Sequence, residues 1–437
     1  MDIDILLTGI FGILGIIGMS ALGVPIGISL GSAALVGLYF TAGPRFAFLT
    51  LRNLPYTTAS SYSLVVIPMF ILMGLIASEA GMMTDLYNSL NKWLARFKGA
   101  LLMVTTAASA AFGAVSGSSV VNAAVFTRIA FPEMIRLGYK PGVGAAAIAS
   151  AGTLASLIPP SINFVIFAIL TEESIGKLLL AGLLPGILTT VIYMVGIAVC
   201  VRLFKDWAPE SKKRYTLQEK IASMKHIWPV MLIAFFIIGG IYTGFTPPSA
   251  AGGIGAIATI IVVTIQRRMT KNILWSSLKQ TVEITATLSI IVFGGLMFSR
   301  FLAISGVVET LVTYFNSVGL GKYQFLLMVV VIFLVLGMFM DTMSILVITT
   351  PLLYPLVHAL GINVIWYAVI IVKLMEIAVV SPPVGINLFT VMAATDKKLK
   401  IGELYKGVLP FIVFDLITIG LLILFPAIAT WLPETMM

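Results

Sequence analysis

SLIPPSINFVIFAIL, residues 156–170, lies inside a long apolar run and carries Pro159 and Pro160 back to back, with Asn163 just beyond. Proline has no backbone N–H, and its ring clashes with the preceding helical turn, so each of the two breaks a helix. No charge accompanies the break. It falls where an unbroken apolar helix is otherwise expected.

Composition shows why a helix is expected there. The 437 residues are 59% hydrophobic and 10% charged, against roughly 25% charged in a soluble protein. Mean hydropathy is +1.08. Apolar stretches near the ~20 residues that cross a bilayer recur along most of the chain, whereas a barrel would alternate in ~10-residue segments. The fold class is an all-α polytopic membrane protein. Acidic Met1-Asp2-Ile3-Asp4 is not the basic start of a cleavable signal, so the run from Ile5 to Leu22 is expected to stay as a membrane helix. The net charge of +9 collects in a few short loops. It reads as topology, with no nucleic-acid partner. Cys200, the one cysteine, leaves no disulfide within the chain and reads as small apolar filler.

Crossings are expected at about 4–22, 26–41, 62–79, 142–170 and 178–201, then at about 228–245, 250–266, 281–304, 362–395 and 407–430. The unit at about 99–140 has basic residues at both ends (Lys92, Arg96 and Lys98; Arg128, Arg136 and Lys140) and reads as a re-entrant hairpin. A second hairpin is expected at about 323–360. Leu86, Leu90, Trp93 and Phe97 have the spacing of a helix lying along the interface. Further basic loops hold Arg202, Lys205, Lys212, Lys213, Arg214, Lys220 and Lys225, then Arg267, Arg268, Lys271 and Lys279, then Lys397, Lys398 and Lys400. Placing these in the cytoplasm puts both termini, Glu172-Glu173 and Glu434 outside. Arg45 and Arg52 fall in an outside loop as exceptions.

The opening stretch has a copy. VSPPVGINLFTVMA, residues 380–393, places Pro382-Pro383 at a separation of 223 from Pro159-Pro160. In the same frame Thr127 meets Thr350, Pro132 meets Pro355, Gly138 meets Gly361, and Ser118-Ser119 falls on Asp341-Thr342. Leu184-Pro185 meets Leu409-Pro410 with a two-residue slip. Each half holds about five crossings, an odd number, so the second half enters the membrane from the other side. The expected organisation is a first inverted repeat over 1–205, a cytoplasmic basic linker over 206–226, and a second repeat over 227–437. Each repeat has its hairpin and its broken helix. Inverted repeats with broken helices near the midplane are the architecture of secondary transporters.

A broken helix frees backbone groups that survive in a membrane only when buried in protein or lining a wet cavity. Freed carbonyls suit a hard cation such as Na⁺, and a half-helix N-terminus suits a carboxylate. Facing hairpin tips, Ser116-Gly117-Ser118-Ser119 and Gly337-Met338-Phe339-Met340-Asp341-Thr342, would complete such sites, their hydroxyls ligating a cation or donating to an anion. Asp341 is an intramembrane carboxylate, either functional or a helix cap at a buried break. Lys373 and Glu376, at i and i+3, read as a neutralising intrahelical pair, with an ion-pathway role for Glu376 as the alternative. Asn122, Asn163 and Asn387 either orient substrate or satisfy freed backbone. His226 and His358 have no metal-site partners. No phosphate-binding loop and no nucleophile-base set occurs, so the chain does not read as an enzyme.

SGSSVVNAA (116–124), FPEMIRLGY (131–139), LIPPSI (157–162), SIGKLLLAGLLPG (174–186), GMFMDTMS (337–344) and EIAVVSPPVGINLF (376–389) resemble the large membrane subunit of tripartite ATP-independent periplasmic (TRAP) transporters, over nearly the whole length. The resemblance implies an elevator-type carrier in a bacterial inner membrane. It would import a small organic anion with Na⁺, alongside a small membrane subunit of about four helices and a soluble periplasmic binding protein. It implies no cofactor beyond Na⁺ as coupling ion. One Na⁺ site would use Ser116 and the carbonyls of Ala155, Ile158 and Pro160. The repeat places a second around Gly337, Met340, Val379, Ser381 and Pro383. Substrate would lie between them, near Ser118, Asn122, Asn163, Asp341 and Asn387. The family's acid after the proline is missing from FTPPSAAGG (245–253), where Ser249 and Ala250 follow Pro248. Sialic-acid members carry Asp where Asn122 stands, which tilts the expected substrate from sialic acid toward C4-dicarboxylates or other small acids. A stand-alone Na⁺/dicarboxylate symporter and an anion channel are the alternatives.

Overall fold

The computed structural model describes residues 3–209, 214–225, 227–338, 340–395 and 399–435. The readings placed on Asp2, Lys212, Lys213, His226, Phe339, Lys397 and Lys398 lie outside the described residues. All regular structure in the described residues is helical. The first half runs α1 (Ile3–Ala21), α2 (Ile26–Ala42), α3 (Pro44–Ala59), α4 (Val66–Glu79), α5 (Met82–Leu94), α6 (Ala100–Ser116), α7 (Ser119–Arg136), α8 (Pro141–Leu157), α9 (Ile162–Thr171), α10 (Ile175–Ala181) and α11 (Leu183–Leu203). The second runs α12 (Leu217–Met224), α13 (Trp228–Tyr242), α14 (Pro248–Ile265), α15 (Lys271–Ser305), α16 (Val307–Val318), α17 (Lys322–Gly337), α18 (Thr342–Ala359), α19 (Val364–Ala378), α20 (Ile386–Ala394), α21 (Ile401–Leu424) and α22 (Ala427–Glu434).

Six described segments are long and apolar enough to cross a membrane: Tyr62–Glu79, Ile175–Leu203, Pro248–Ile265, Lys271–Ser305, Thr342–Ala359 and Ile401–Leu424. The pair α8 and α9, bent by 42°, passes the same test as one broken span, as does the pair α12 and α13. Each of the ten expected crossings coincides with a helix or a broken pair, although α1, α2 and the α19–α20 pair fall short of that length or continuity. Two expectations need correction. Residues 44–59, taken as an outside loop, form α3, which carries Arg45 and Arg52. Its apolar residues are too interrupted to register in a membrane-length window, but Pro44 opens a helix well at its first turn. Lys271 and Lys279 lie on α15, as Arg202 does on α11 and Lys220 on α12, not in loops. Helix α15 starts ahead of the expected 281 and runs 35 residues, because hydropathy marks the lipid-facing part of a helix and not its end in water.

Two rods form the centre. Every residue of α8 from Gly142 to Leu157 is buried, and so is every residue of α19 from Trp366 to Ala378. Helices α6, α7, α20 and α21 pack on α8, and α9, α17, α18 and α21 on α19. Helix α8 is Ala/Gly/Ser-rich, which lets neighbouring backbones approach closely where lipid offers no hydrophobic drive to associate. Trp366 ties α19 to α21 by donating from Nε1 to the Leu422 carbonyl at 2.7 Å.

At the expected cytoplasmic side, Arg268 donates to Asp85 Oδ2 at 2.5 Å and to the Ala80 carbonyl at 3.2 Å. This clamps the end of α14 to the α4–α5 turn. Both side chains are partly exposed, so Asp85→Asn is expected to cost no more than about 1 kcal/mol. The loss should shrink further in high salt, as read by thermal unfolding.

Candidate functional site

The order hairpin, then broken helix, occurs twice: α6–α7 with α8–α9, and α17–α18 with α19–α20. The packing is crossed. The second arm of the first hairpin, α7, lies on α20, and the second arm of the other, α18, lies on α9. Each hairpin therefore touches the helix that follows the other break.

At the first break α8 ends at Leu157, and Ile158 turns extended. Pro159 has no N–H to offer the carbonyl of Ala155 four residues earlier. The Ser156 carbonyl is taken by the hydroxyl of Ser161, which caps α9 and accepts from Phe164 N at 3.4 Å. The Pro159-Pro160 and Pro382-Pro383 peptide bonds are both cis. Gly182 faces the Leu157 carbonyl and Gly186 the Ile158 side chain, too closely for a Cβ at either. The SIGKLLLAGLLPG stretch is thus a buttress for the break.

The first tip closes on this break. Gly117 has φ 61°, and a Cβ there would meet the Pro160 carbonyl oxygen at 2.5 Å. A Cβ on Gly113 would meet Ala155 in the same way, and one on Gly337 would overlap Ala378, the residue 223 positions beyond Ala155. Ser116 donates to Asn122 Oδ1 at 2.7 Å. Asn122 Nδ2 donates to the Ser109 carbonyl at 3.1 Å and to its hydroxyl at 3.2 Å. Ser116 and Asn122, expected in a Na⁺ site and a substrate site, bond to each other, and these bonds hold α6 and α7 together. Ser118 caps α7 with a 3.5 Å bond from Val121 N.

At the second tip, Asp341 caps α18. Oδ2 accepts from Met343 N at 3.0 Å and Ser344 N at 3.2 Å, and Oδ1 from the Ser344 hydroxyl. Of the two readings the sequence left open, the helix cap is the one these bonds display. At the second break the Ser381 hydroxyl donates to the Ile377 carbonyl at 2.7 Å. The Val379 carbonyl accepts from Asn387 N at 3.0 Å, and the Pro383 carbonyl from the hydroxyl of Tyr405. Asn387 Nδ2 reaches across to the Ala149 carbonyl of α8 at 3.3 Å, leaving Oδ1 buried without a partner. The side chain of Asn163, a residue 4% exposed in the first turn of α9, makes no hydrogen bond among the described residues. Met340 is half-buried beside Asp341.

The two breaks differ in exposure. Residues 156–168 are all buried, whereas Pro383 and Phe389 are exposed. A recess of about 430 Å³ between α1 and α2 is lined by none of the tip or break residues, one of about 460 Å³ beside the end of α9 reaches Ala168, and one of about 130 Å³ is lined in part by Met340.

Lys373 and Glu376 do pair, at 2.8 Å, and both are fully buried. What the sequence reading missed is their company. Lys373 Nζ also donates to Asp415 Oδ1 on α21 at 2.6 Å, and Tyr193 of α11 donates to the same oxygen at 2.8 Å. The only available signal was an acid inside the apolar run of 401–424.

A bundle of apolar helices around two interlocked helix breaks defines a polytopic helical membrane protein. Residues 13–428 match the family described as "Tripartite ATP-independent periplasmic transporter, DctM component", and the chain belongs to that family. It is 33% identical over 381 residues to the C4-dicarboxylate TRAP transporter large permease protein DctM of Pseudomonas aeruginosa, covering 87% of this chain and 88% of that one. It is 28% identical over 424 residues to the sialic acid TRAP transporter large permease protein SiaM of Vibrio cholerae, covering 97% of each. The fold is similar to the crystal structure of the Alcanivorax borkumensis YdaH transporter, with a TM-score of 0.64, 14% identity, and coverage of 89% and 90%.

Proposed function

We propose that this chain is the carrier subunit of a Na⁺-coupled importer of a small organic acid anion in a bacterial inner membrane. It would work with a small membrane subunit and a soluble periplasmic binding protein. The observation that carries the reading is the crossed seating of α7 on α20 and α18 on α9, at two helix breaks, in a chain of this family. Such breaks put freed carbonyls and helix N-termini where an ion and a carboxylate need them. The halves over 1–205 and 227–437, joined by the 206–226 linker, act as inverted repeats, with both termini periplasmic. The unequal exposure of the two breaks supports a carrier caught open to one side, and an elevator-type motion would exchange the two.

One Na⁺ site uses Ser116 and the carbonyls of Ala155, Ile158 and Pro160. The second lies around Gly337, Met340, Val379, Ser381 and Pro383. Substrate contacts come from Ser118, Asn122, Asn163, Asp341 and Asn387, of which Asn163 and the Asn387 Oδ1 retain unused hydrogen-bonding capacity. Relatives named for C4-dicarboxylates, sialic acid and isethionate, the last a sulfonate, make a small organic acid anion the common chemistry.

Reconstitution tests this. Uptake in proteoliposomes should require the membrane partner, a Na⁺ gradient and the binding protein together. Uptake without the binding protein would instead identify a stand-alone symporter, and current without a Na⁺ gradient a channel. Ser116→Ala and Asp341→Asn should each lower Na⁺-driven uptake roughly tenfold, about 1.4 kcal/mol, with folding retained. Unchanged Na⁺ dependence in both removes the site assignment.

A further inference from the structure

The cluster at the α19–α21 seam contains one ammonium, Lys373, and two carboxyls, Glu376 and Asp415, all 0% exposed. If all three were ionised, one negative charge would be unmatched in the interior, which a low-dielectric site does not tolerate. The donors are unevenly shared. Asp415 Oδ1 receives two, Lys373 Nζ at 2.6 Å and the Tyr193 hydroxyl at 2.8 Å, while Glu376 Oε2 receives only Lys373 at 2.8 Å. Glu376 Oε1 and Asp415 Oδ2 are buried with no partner. No other charge approaches from the helices packed on α19. Helices α8 and α9 carry no acidic or basic side chain between Pro141 and Thr171. Lys177, His358, Glu403, Lys406 and Glu434 are exposed, and Lys322 covers the Trp366 ring at 5.0 Å.

We propose that Glu376 is a proton-binding site, occupied at neutral pH, with Asp415 the ionised partner of Lys373 and the cluster neutral as a whole. A proton is the one cation that needs no cavity, and it converts a carboxyl oxygen from acceptor to donor. It settles on the carboxyl with fewer donors, because hydrogen bonds donated to a carboxylate favour its charged form. The inference stands on this cluster alone and does not depend on the Na⁺ sites.

Isotope-edited infrared spectroscopy of the purified protein in lipid nanodiscs at pH 7 tests it. A protonated-carboxyl C=O band is expected. It should shift when glutamate is ¹³C-labelled, stay in place when aspartate is, and vanish in Glu376→Gln. Absence of the band means a charged cluster, or a metal cation in place of the proton, and overturns the proposal. A shift on aspartate labelling overturns it in favour of Asp415. The labelled wild-type protein decides the matter even if the variant does not fold.

Discussion

Lys373→Met is expected to destabilise this protein strongly. The substitution keeps most of the side-chain volume but leaves Asp415 with only Tyr193, and Glu376 with no donor at all, both fully buried. Removing one partner of a buried ionic group costs about 3–5 kcal/mol, because the charge left behind is uncompensated. Combining Lys373→Met with Glu376→Gln and Asp415→Asn should recover most of that loss, since a wholly neutral core of similar volume is often as stable as the ionic one. Thermal unfolding of the purified single and triple variants reads the difference. A single variant melting with the wild type would mean that the cluster contributes nothing to stability.

Gly117→Val is expected to have the largest effect on transport while leaving the fold in place. At φ 61° Gly117 occupies the left-handed region, where a side chain costs roughly 1–2 kcal/mol. Its added Cβ would also press on the Pro160 carbonyl and push the tip off the break. Gly138→Val provides the control. That glycine has φ 82°, a comparable strain, but nothing lies within 4 Å of its Cβ position. Gly117→Val should lose more stability than Gly138→Val, by the cost of the clash with Pro160, and only Gly117→Val should raise the Na⁺ concentration for half-maximal uptake, by more than roughly tenfold. Equal Na⁺ dependence in the two would separate the tip from ion binding.

Much of this architecture was legible because it rests on local chemistry. Pro159-Pro160 and Pro382-Pro383 break helices wherever they stand, and both breaks are where the prolines put them. Helix ends fell at Gly117 and at Asp341, where a glycine and a capping carboxylate favour them. The Lys373–Glu376 pair followed from helical spacing alone. Helix α3 was lost because its apolar residues are discontinuous, and the start of α15 because a helix can outrun its apolar face.

Partnership across the fold was not legible. Asn122 looked as suited to substrate as to structure until its amide was found bonded to Ser109, and Asp341 looked as suited to a cation as to a cap. Tyr193 lies 222 positions from Asp415, and Asp415 lies 42 from Lys373. The sequence by itself determined that this is a broken-helix membrane protein and which backbone groups its prolines release, because a missing N–H is a property of one residue. Only the tertiary structure decided which hairpin seats on which break and that Lys373 answers to two acids. A charge or a freed carbonyl is satisfied by whatever lies about 3 Å away in space, and no spacing along the chain states that distance.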